Sequence, residues 1–244
     1  MKRYGFITFI LFLVSGSVNA EAFKSGEYVT DSGWGQLLIS KPKKEGIPFA
    51  IQSMGGNGHI CDLSGLIVNG KSRVSYENGN EVCLVSFTLK PSGIEVVANT
   101  VEECRYSCGT NAGFEGFYLT LPKGCAQADR QLTRKQFKLL YQKKNYKQAI
   151  LKLSPILKNC STTLEFIELG ETRNDLAITQ YKNKLYDACL KTLEPYAQEA
   201  ALDDDEAVSN YPSLLAERYL PIIKAARTNI RLCGVSKTKE NKQR

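Results

Sequence analysis

The chain has 244 residues, of which 43% are hydrophobic and 23% charged, and a formal net charge of +7. Its length allows one large domain or two small ones. Residues 1–20 contribute +2 of the charge and residues 237–244 contribute +3, which leaves about +2 on the remaining body. That charge excludes a nucleic-acid-binding surface.

Residues 1–20 are predicted to be a signal peptide. Lys2 and Arg3 precede an apolar stretch at 6–14, which is shorter than the roughly 18 residues of a membrane-spanning helix. Val18 and Ala20 occupy the positions that a signal peptidase recognises, so we expect cleavage after Ala20. No later stretch is apolar enough to span a membrane, so the mature chain is expected to be soluble and either periplasmic or secreted.

Eight cysteines in an exported chain predict a disulfide framework. Five lie in the first half of the chain and three in the second, so complete oxidation requires at least one disulfide that joins the halves or lies at their boundary. The positions are Cys61, Cys83, Cys104, Cys108 and Cys125, followed by Cys160, Cys189 and Cys233.

Residues 22–124 have the pattern of a small antiparallel all-β module, a meander with barrel-like character. Short runs of apolar and β-branched residues alternate with turn signals. Asn-Gly pairs at 69–70 and 78–79 predict hairpins, because both central residues of such a turn need a positive φ. The run 82–89 alternates, so one of its faces is predicted to point inward. The predicted strands are 34–39, 48–54, 59–68, 73–76, 82–89 and 94–98.

The glycine-rich segment 55–61 contains the only histidine of the chain, His59. A catalytic triad of Ser53, His59 and Asp62 is one hypothesis. It is disfavoured because neighbouring strand residues point to opposite faces, and a hydrogen bond in a turn or at a strand end is the favoured role of His59. No metal site is expected, because exported thiols are usually oxidised and the cysteine spacing fits no common zinc motif.

Three patterns occur together in this half of the chain: Asn-Gly-His59-x-Cys61, Cys104-x-x-x-Cys108-Gly, and Ala-Gly-Phe-Glu-Gly-Phe-Tyr118. The combination resembles a module that recurs in uncharacterised secreted bacterial proteins, and it covers roughly residues 30–125. The resemblance implies an exported bacterial envelope protein and brings no activity with it. In size, strand content and disulfides the module is also similar to the small β-barrel lysozyme inhibitors of the periplasm, which is an analogy of architecture alone.

Residues 128–235 are predicted to form an all-α module with an internal repeat. Residues 141–155 align with 181–195 without gaps, at an offset of 40 residues. Both copies resemble the turn and second helix of a tetratricopeptide hairpin, in which aromatic residues flank the turn. The period differs from the usual 34 residues of that family, and Pro155 and Pro195 predict that each second helix is short or kinked. A third helical element at 214–232 would cap the array.

A helical hairpin from about 131 to 157 brings its two ends together, which predicts a disulfide between Cys125 and Cys160. Cys189 is then predicted to pair with Cys233 at the end of the last helix. The remaining four cysteines pair among themselves in one of three ways. The acidic residues 203–206 are predicted to be a solvated loop, and the basic residues 236–244 a disordered tail.

The α+β organisation favours a non-catalytic protein-binding function in the cell envelope, because helical repeats commonly hold peptides or proteins. An inhibitor or immunity protein against an envelope-attacking enzyme fits the compartment and the size. His59 and two aromatic residues taken as exposed, Trp34 and Tyr118, are the candidate binding residues.

Two alternatives stay open. One is an envelope hydrolase with paired carboxylates such as Glu102 and Glu103, or Glu115. The other is a structural or peptidoglycan-binding protein. We expect an unidentified protein partner and no cofactor, metal, nucleic acid or stable membrane insertion.

Overall fold

The computed structural model describes residues 23–76 and 81–242, so the predicted signal peptide and the Asn-Gly turn at 78–79 lie outside the described residues. The described chain begins with an antiparallel sheet and continues as a helical region. The strands are β1 (Gly26–Thr30), β2 (Gly35–Ile39), β3 (Ile47–Met54), β4 (Ile60–Ile67), β5 (Lys71–Ser75), β6 (Val82–Lys90), β7 (Gly93–Ala98) and β8 (Gly116–Thr120).

The sheet is the predicted meander, curled into a nearly closed barrel. Its order is β4-β3-β2-β1-β8-β7-β6-β5, and the first and last strands of the chain pair with each other. Neither β1 nor β8 was predicted, because both are short and flanked by glycine-rich sequence. The inward face of β6 is buried as expected, with Cys83 and Val85 fully inaccessible to solvent.

The barrel has a seam between β4 and β5, the two strands at the ends of the sheet order. They meet at the bridge between Val68 and Lys71, around the predicted Asn-Gly turn, in which Asn69 has φ 50° and Gly70 has φ 73°. Beyond this turn, β4 and β5 share no ladder, so another part of the described chain closes the barrel.

A strap formed by helix α1 (Val101–Cys104) and the following residues to Cys108 closes the seam. One disulfide joins Cys104 to Cys83 of β6, and a second joins Cys108 to Cys61 of β4. The strap is therefore covalently attached on both sides of the seam. These two disulfides select one of the three pairings that the sequence left open.

The helical region follows the barrel. Its helices are α2 (Gln127–Gln142), α3 (Tyr146–Cys160), α4 (Phe166–Lys182), α5 (Tyr186–Leu193), α6 (Ala197–Ala201), α7 (Asp204–Val208) and α8 (Ser213–Lys242). Among the residues that the structure describes, no helix is long and apolar enough to cross a membrane.

The 40-residue repeat of the sequence is also a repeat of backbone geometry. The turns of the α2–α3 and α4–α5 hairpins contain Lys144 and Lys184, with φ values of 59° and 58°. The positions at which the two second helices approach their neighbours, Ala149 and Cys189, are fully buried. Proline acts differently in the two copies: α3 continues past Pro155, whereas α5 ends at Leu193.

Two predictions for the end of the chain are wrong. Residues 203–206 start helix α7, because the Asp203 side chain accepts a hydrogen bond from the Glu206 N–H at 2.8 Å, and acidic residues are stabilised in the first turn of a helix. The predicted disordered tail continues α8 as far as Lys242, with Lys237 paired to Asp187. Once packing has anchored a helix, each added residue contributes a further hydrogen bond.

The two modules are joined around Arg130, whose side chain is 10% exposed. Its guanidinium lies 2.9 Å from the Glu168 carboxylate of α4 and 4.0 Å from the Glu27 carboxylate of β1, and it donates to the Cys125 carbonyl. The predicted disulfide between Cys125 and Cys160 is present beside it, and so is the predicted pair of Cys189 and Cys233. We call this contact of Arg130, Glu27 and Glu168 the joint.

We predict that Arg130→Met lowers the free energy of unfolding by about 3 kcal/mol, because it leaves two largely buried carboxylates without their cation. Urea denaturation with the disulfides intact measures the change. Arg105→Met is the matched control, since Arg105 forms an exposed ion pair with Glu102 and its loss is expected to cost less than about 1 kcal/mol. Equal stability of the two variants would contradict the role assigned to the joint.

Candidate functional site

Tyr118 cannot act as the exposed binding residue that the sequence suggested. It is fully buried, and its hydroxyl donates to the Phe114 carbonyl at 2.7 Å. The error follows from the missed strand β8, in which alternation directs Tyr118 into the barrel and leaves Phe117 37% exposed.

His59 is exposed and forms a hydrogen bond immediately before β4. Its Nδ1–H donates to the Thr110 carbonyl at 2.9 Å. The other two residues of the triad hypothesis have different partners. Ser53 donates to the Gly113 carbonyl at 2.8 Å, and Asp62 accepts from Gln52 at 3.2 Å. The triad is therefore not assembled.

The carboxylates considered for hydrolysis lie on two different segments. Glu102 is exposed and Glu103 half-buried on the strap helix α1. Glu115 lies just before β8, where its Oε1 accepts the Ala98 N–H at 2.8 Å. Of the three, Glu115 borders the cleft described next.

A cleft of about 540 Å³ lies between the barrel and the helices, and we call it the inter-module cleft. The barrel contributes the only tryptophan of the chain, which was a predicted binding residue, and the helical region contributes the start of α4 and the start of α8. The side chains that define it are Trp34, Met54, Glu115, Glu165, Phe166 and Leu215.

Gly33 brings the two walls together. Its φ is 68°, and a Cβ at this position would lie 2.3 Å from the Glu165 nitrogen. Only glycine therefore allows the turn before β2 to approach the start of α4 so closely. This contact places Trp34 next to the residues that begin α4.

Aromatic packing holds the apolar walls in place. The Trp34 ring lies over Gly116, where an added Cβ would be 3.2 Å from the indole. On the helical side, Phe166 stacks on Tyr211 with ring centroids 6.1 Å apart and also contacts Tyr219 at 5.6 Å. The cleft is thus formed by side chains that other packing interactions already position.

Glu165 has one satisfied and one unsatisfied carboxylate oxygen. Its Oε2 accepts the Ile167 N–H at 3.1 Å, which caps α4, and lies 3.6 Å from the Arg218 guanidinium. Its Oε1 is buried without a hydrogen-bond partner among the described residues. Burial raises the pKa of the Glu165 carboxyl above its ordinary value, although Arg218 and the backbone N–H groups of Ile167 and Glu168 act in the opposite direction.

The barrel carries a second cavity of about 650 Å³ at its seam. Leu66, Val68 and Leu84 line it, together with Lys71 and Arg73. The inter-module cleft is the stronger candidate site, because it contains a predicted binding residue and a buried carboxylate oxygen without a partner.

Within the part of the chain that the structure describes, no group of three or more histidine, cysteine or acidic side chains is arranged to hold a metal ion.

Sequence reasoning found Trp34 and missed the helical wall of the cleft. Glu165, Phe166 and Leu215 belong to no motif, and the clearest local signal of this contact is Gly33, which stands next to the only tryptophan. A glycine in that position is equally typical of an ordinary turn, so it does not by itself indicate a contact with the helices.

Comparison with protein-family models, with curated proteins and with solved structures finds no match for this chain. The resemblance to a secreted bacterial module therefore stays a prediction, and functional inference depends on the geometry of the cleft.

We predict that Glu165→Gln makes the protein more stable at about pH 8, because glutamine keeps the cap on α4 and removes a carboxylate that burial disfavours. Because folding raises the pKa of this carboxyl, its ionisation lowers the free energy of unfolding, and this cost is fully present above the folded-state pKa. The cost disappears as the pH falls below the ordinary value of about 4.3. The stability advantage of the variant over the wild type is thus expected to shrink towards about pH 4.

Urea denaturation across this pH range measures the effect. Glu194→Gln is the control, because Glu194 is exposed on the helical region. A Glu165→Gln variant that is less stable than the wild type at about pH 8 would contradict the assignment of an unfavourably buried carboxylate.

Proposed function

We propose that this protein is an exported, non-catalytic binding protein of the cell envelope that holds a segment of a partner protein in the inter-module cleft. Residues 1–20 support export through a signal peptide cleaved after Ala20. The four disulfides fit an oxidising compartment, either the periplasm or the extracellular space.

This proposal depends on the inter-module cleft. Its two walls belong to different modules and are fixed against each other. Gly33 contacts the start of α4, and the joint and the disulfide from Cys125 to Cys160 lie between the same two modules. A pre-formed site loses less conformational entropy on binding than a flexible one. Its volume lies within the usual range for small binding sites, about 300–1,000 Å³, so it suits one or two side chains of a partner.

The helical region supports the same class of function. Two hairpins with the same turn geometry and small buried residues at equivalent positions favour a tetratricopeptide-like array, and such arrays commonly present a concave surface to peptides or proteins. The 40-residue offset remains a departure from that family. Within the binding class, we favour an inhibitor or immunity protein that masks an envelope-attacking enzyme.

A hydrolase is the second candidate, because Glu165, a carboxyl with a raised pKa, lines the same cleft as the second carboxylate Glu115, and general acid catalysis commonly uses two such groups. Both carboxylates also have structural roles, since Glu165 caps α4 and Glu115 binds the Ala98 N–H. Turnover of purified peptidoglycan that Glu165→Gln abolishes without unfolding would favour the hydrolase. Co-sedimentation with peptidoglycan, without turnover, would favour a structural envelope protein.

We predict that a photo-crosslinker in the cleft captures one partner from envelope extract. Gly56→p-benzoylphenylalanine suits this purpose, because Gly56 borders the cleft and is exposed, with no atom within 4 Å of an added Cβ. The same group at Leu139, which is 51% exposed on α2, serves as the control. The expected result is a discrete stoichiometric adduct from position 56 and none from position 139. Identical adducts from both positions, or none from position 56, would contradict the proposal.

A further inference from the structure

We infer that the inter-module cleft binds a cationic side chain, lysine or arginine, of the partner protein, between the aromatic walls and against the carboxylates of Glu115 and Glu165. This inference rests on the proposed function and adds the chemistry of the bound group.

The charge of the cleft is opposite to that of the chain. The ionisable side chains among its lining residues are Glu115 and Glu165, both acidic, whereas the chain as a whole has a formal charge of +7. Arg218 contacts two of the lining residues: its guanidinium lies 3.6 Å from the Glu165 Oε2 and donates to the Met54 sulfur at 3.5 Å. Counting Arg218, the cleft keeps a net charge of −1, which attracts a cation and repels an anion.

Glu165 also has one carboxylate oxygen without a hydrogen-bond partner among the described residues. The Ile167 N–H and Arg218 occupy the Oε2 side, and Oε1 is buried without a partner among the described residues. Because Glu165 lines the cleft, an ammonium or guanidinium group bound there can form a charge-assisted hydrogen bond with its carboxylate, which offsets the cost of burying this charge.

The remaining walls suit the apolar stem of a long cationic side chain. Trp34 and Phe166 offer aromatic surface, on which cations bind favourably. Met54 and Leu215 provide aliphatic surface for the methylene groups of lysine or arginine. A wholly apolar side chain would fill the same space but would supply no donor to Glu165, whose Oε1 would stay without a hydrogen-bond partner.

Trp34 makes the test direct, because it is the only tryptophan and it lines the cleft. We propose titrating the full mature chain at low ionic strength with the acetylated peptide amides Gly-Lys-Gly and Gly-Arg-Gly, while recording tryptophan fluorescence. Gly-Met-Gly is the uncharged control of similar length, and Gly-Glu-Gly the anionic control. Saturable changes are expected with the lysine and arginine peptides only.

Glu165→Gln is expected to weaken binding of the cationic peptides by about tenfold or more, the size expected for losing one charge-assisted hydrogen bond. Glu194→Gln is expected to bind like the wild type. The inference is overturned if the methionine peptide binds as well as the lysine peptide, if Glu165→Gln has no effect, or if neither cationic peptide produces a saturable change up to about 10 mM.

The outcome separates this inference from the proposed function. If the crosslinker at position 56 captures a partner but the tripeptides show no cationic preference, the cleft binds a protein through other chemistry and this inference fails alone. If the cationic peptides bind and no partner is captured, the protein-binding proposal fails and the cation site stands.

Discussion

The contact of Arg130 with Glu27 and Glu168 connects a barrel strand to two helices, and the geometry between the modules depends on it. A largely buried ion pair contributes little net stability, because desolvation of its charges offsets their attraction. The ion pair does favour one relative orientation of the two modules, since other orientations would leave its charges unpaired. The disulfide from Cys125 to Cys160 tethers the chain at the same place. We infer that the joint keeps the cleft in one shape.

The four disulfides connect different parts of the fold. Two attach the strap across the barrel seam, one lies at the joint, and one fixes α8 to the second helical hairpin. Each links two segments that are far apart in the sequence, by 21 to 47 residues. The disulfides thus help an eight-stranded sheet with a seam and a short helical array to form one stable protein.

Local signals predicted much of the fold, and the failures that affect the candidate site were non-local. Alternation and an Asn-Gly turn revealed the meander, and the end-to-end geometry of one hairpin revealed the pair of Cys125 and Cys160. The burial of Tyr118 was missed because it depends on pairing between the first and last strands. The helical wall of the cleft was missed for the same reason, because Glu165 is an ordinary acidic residue until the fold brings it to the same cleft as Trp34.

We infer that the joint holds the two modules as one body, and a measurement of the distance between the modules checks this. Spin labels carried by noncanonical amino acids at Leu38 on β2 and Glu217 on α8, both exposed, would report the separation of the modules without disturbing the disulfides. We expect a single narrow distance distribution in the wild type and a broader one in Arg130→Met. A broad distance distribution in the wild type, or no change on replacing Arg130, would contradict the role assigned to the joint.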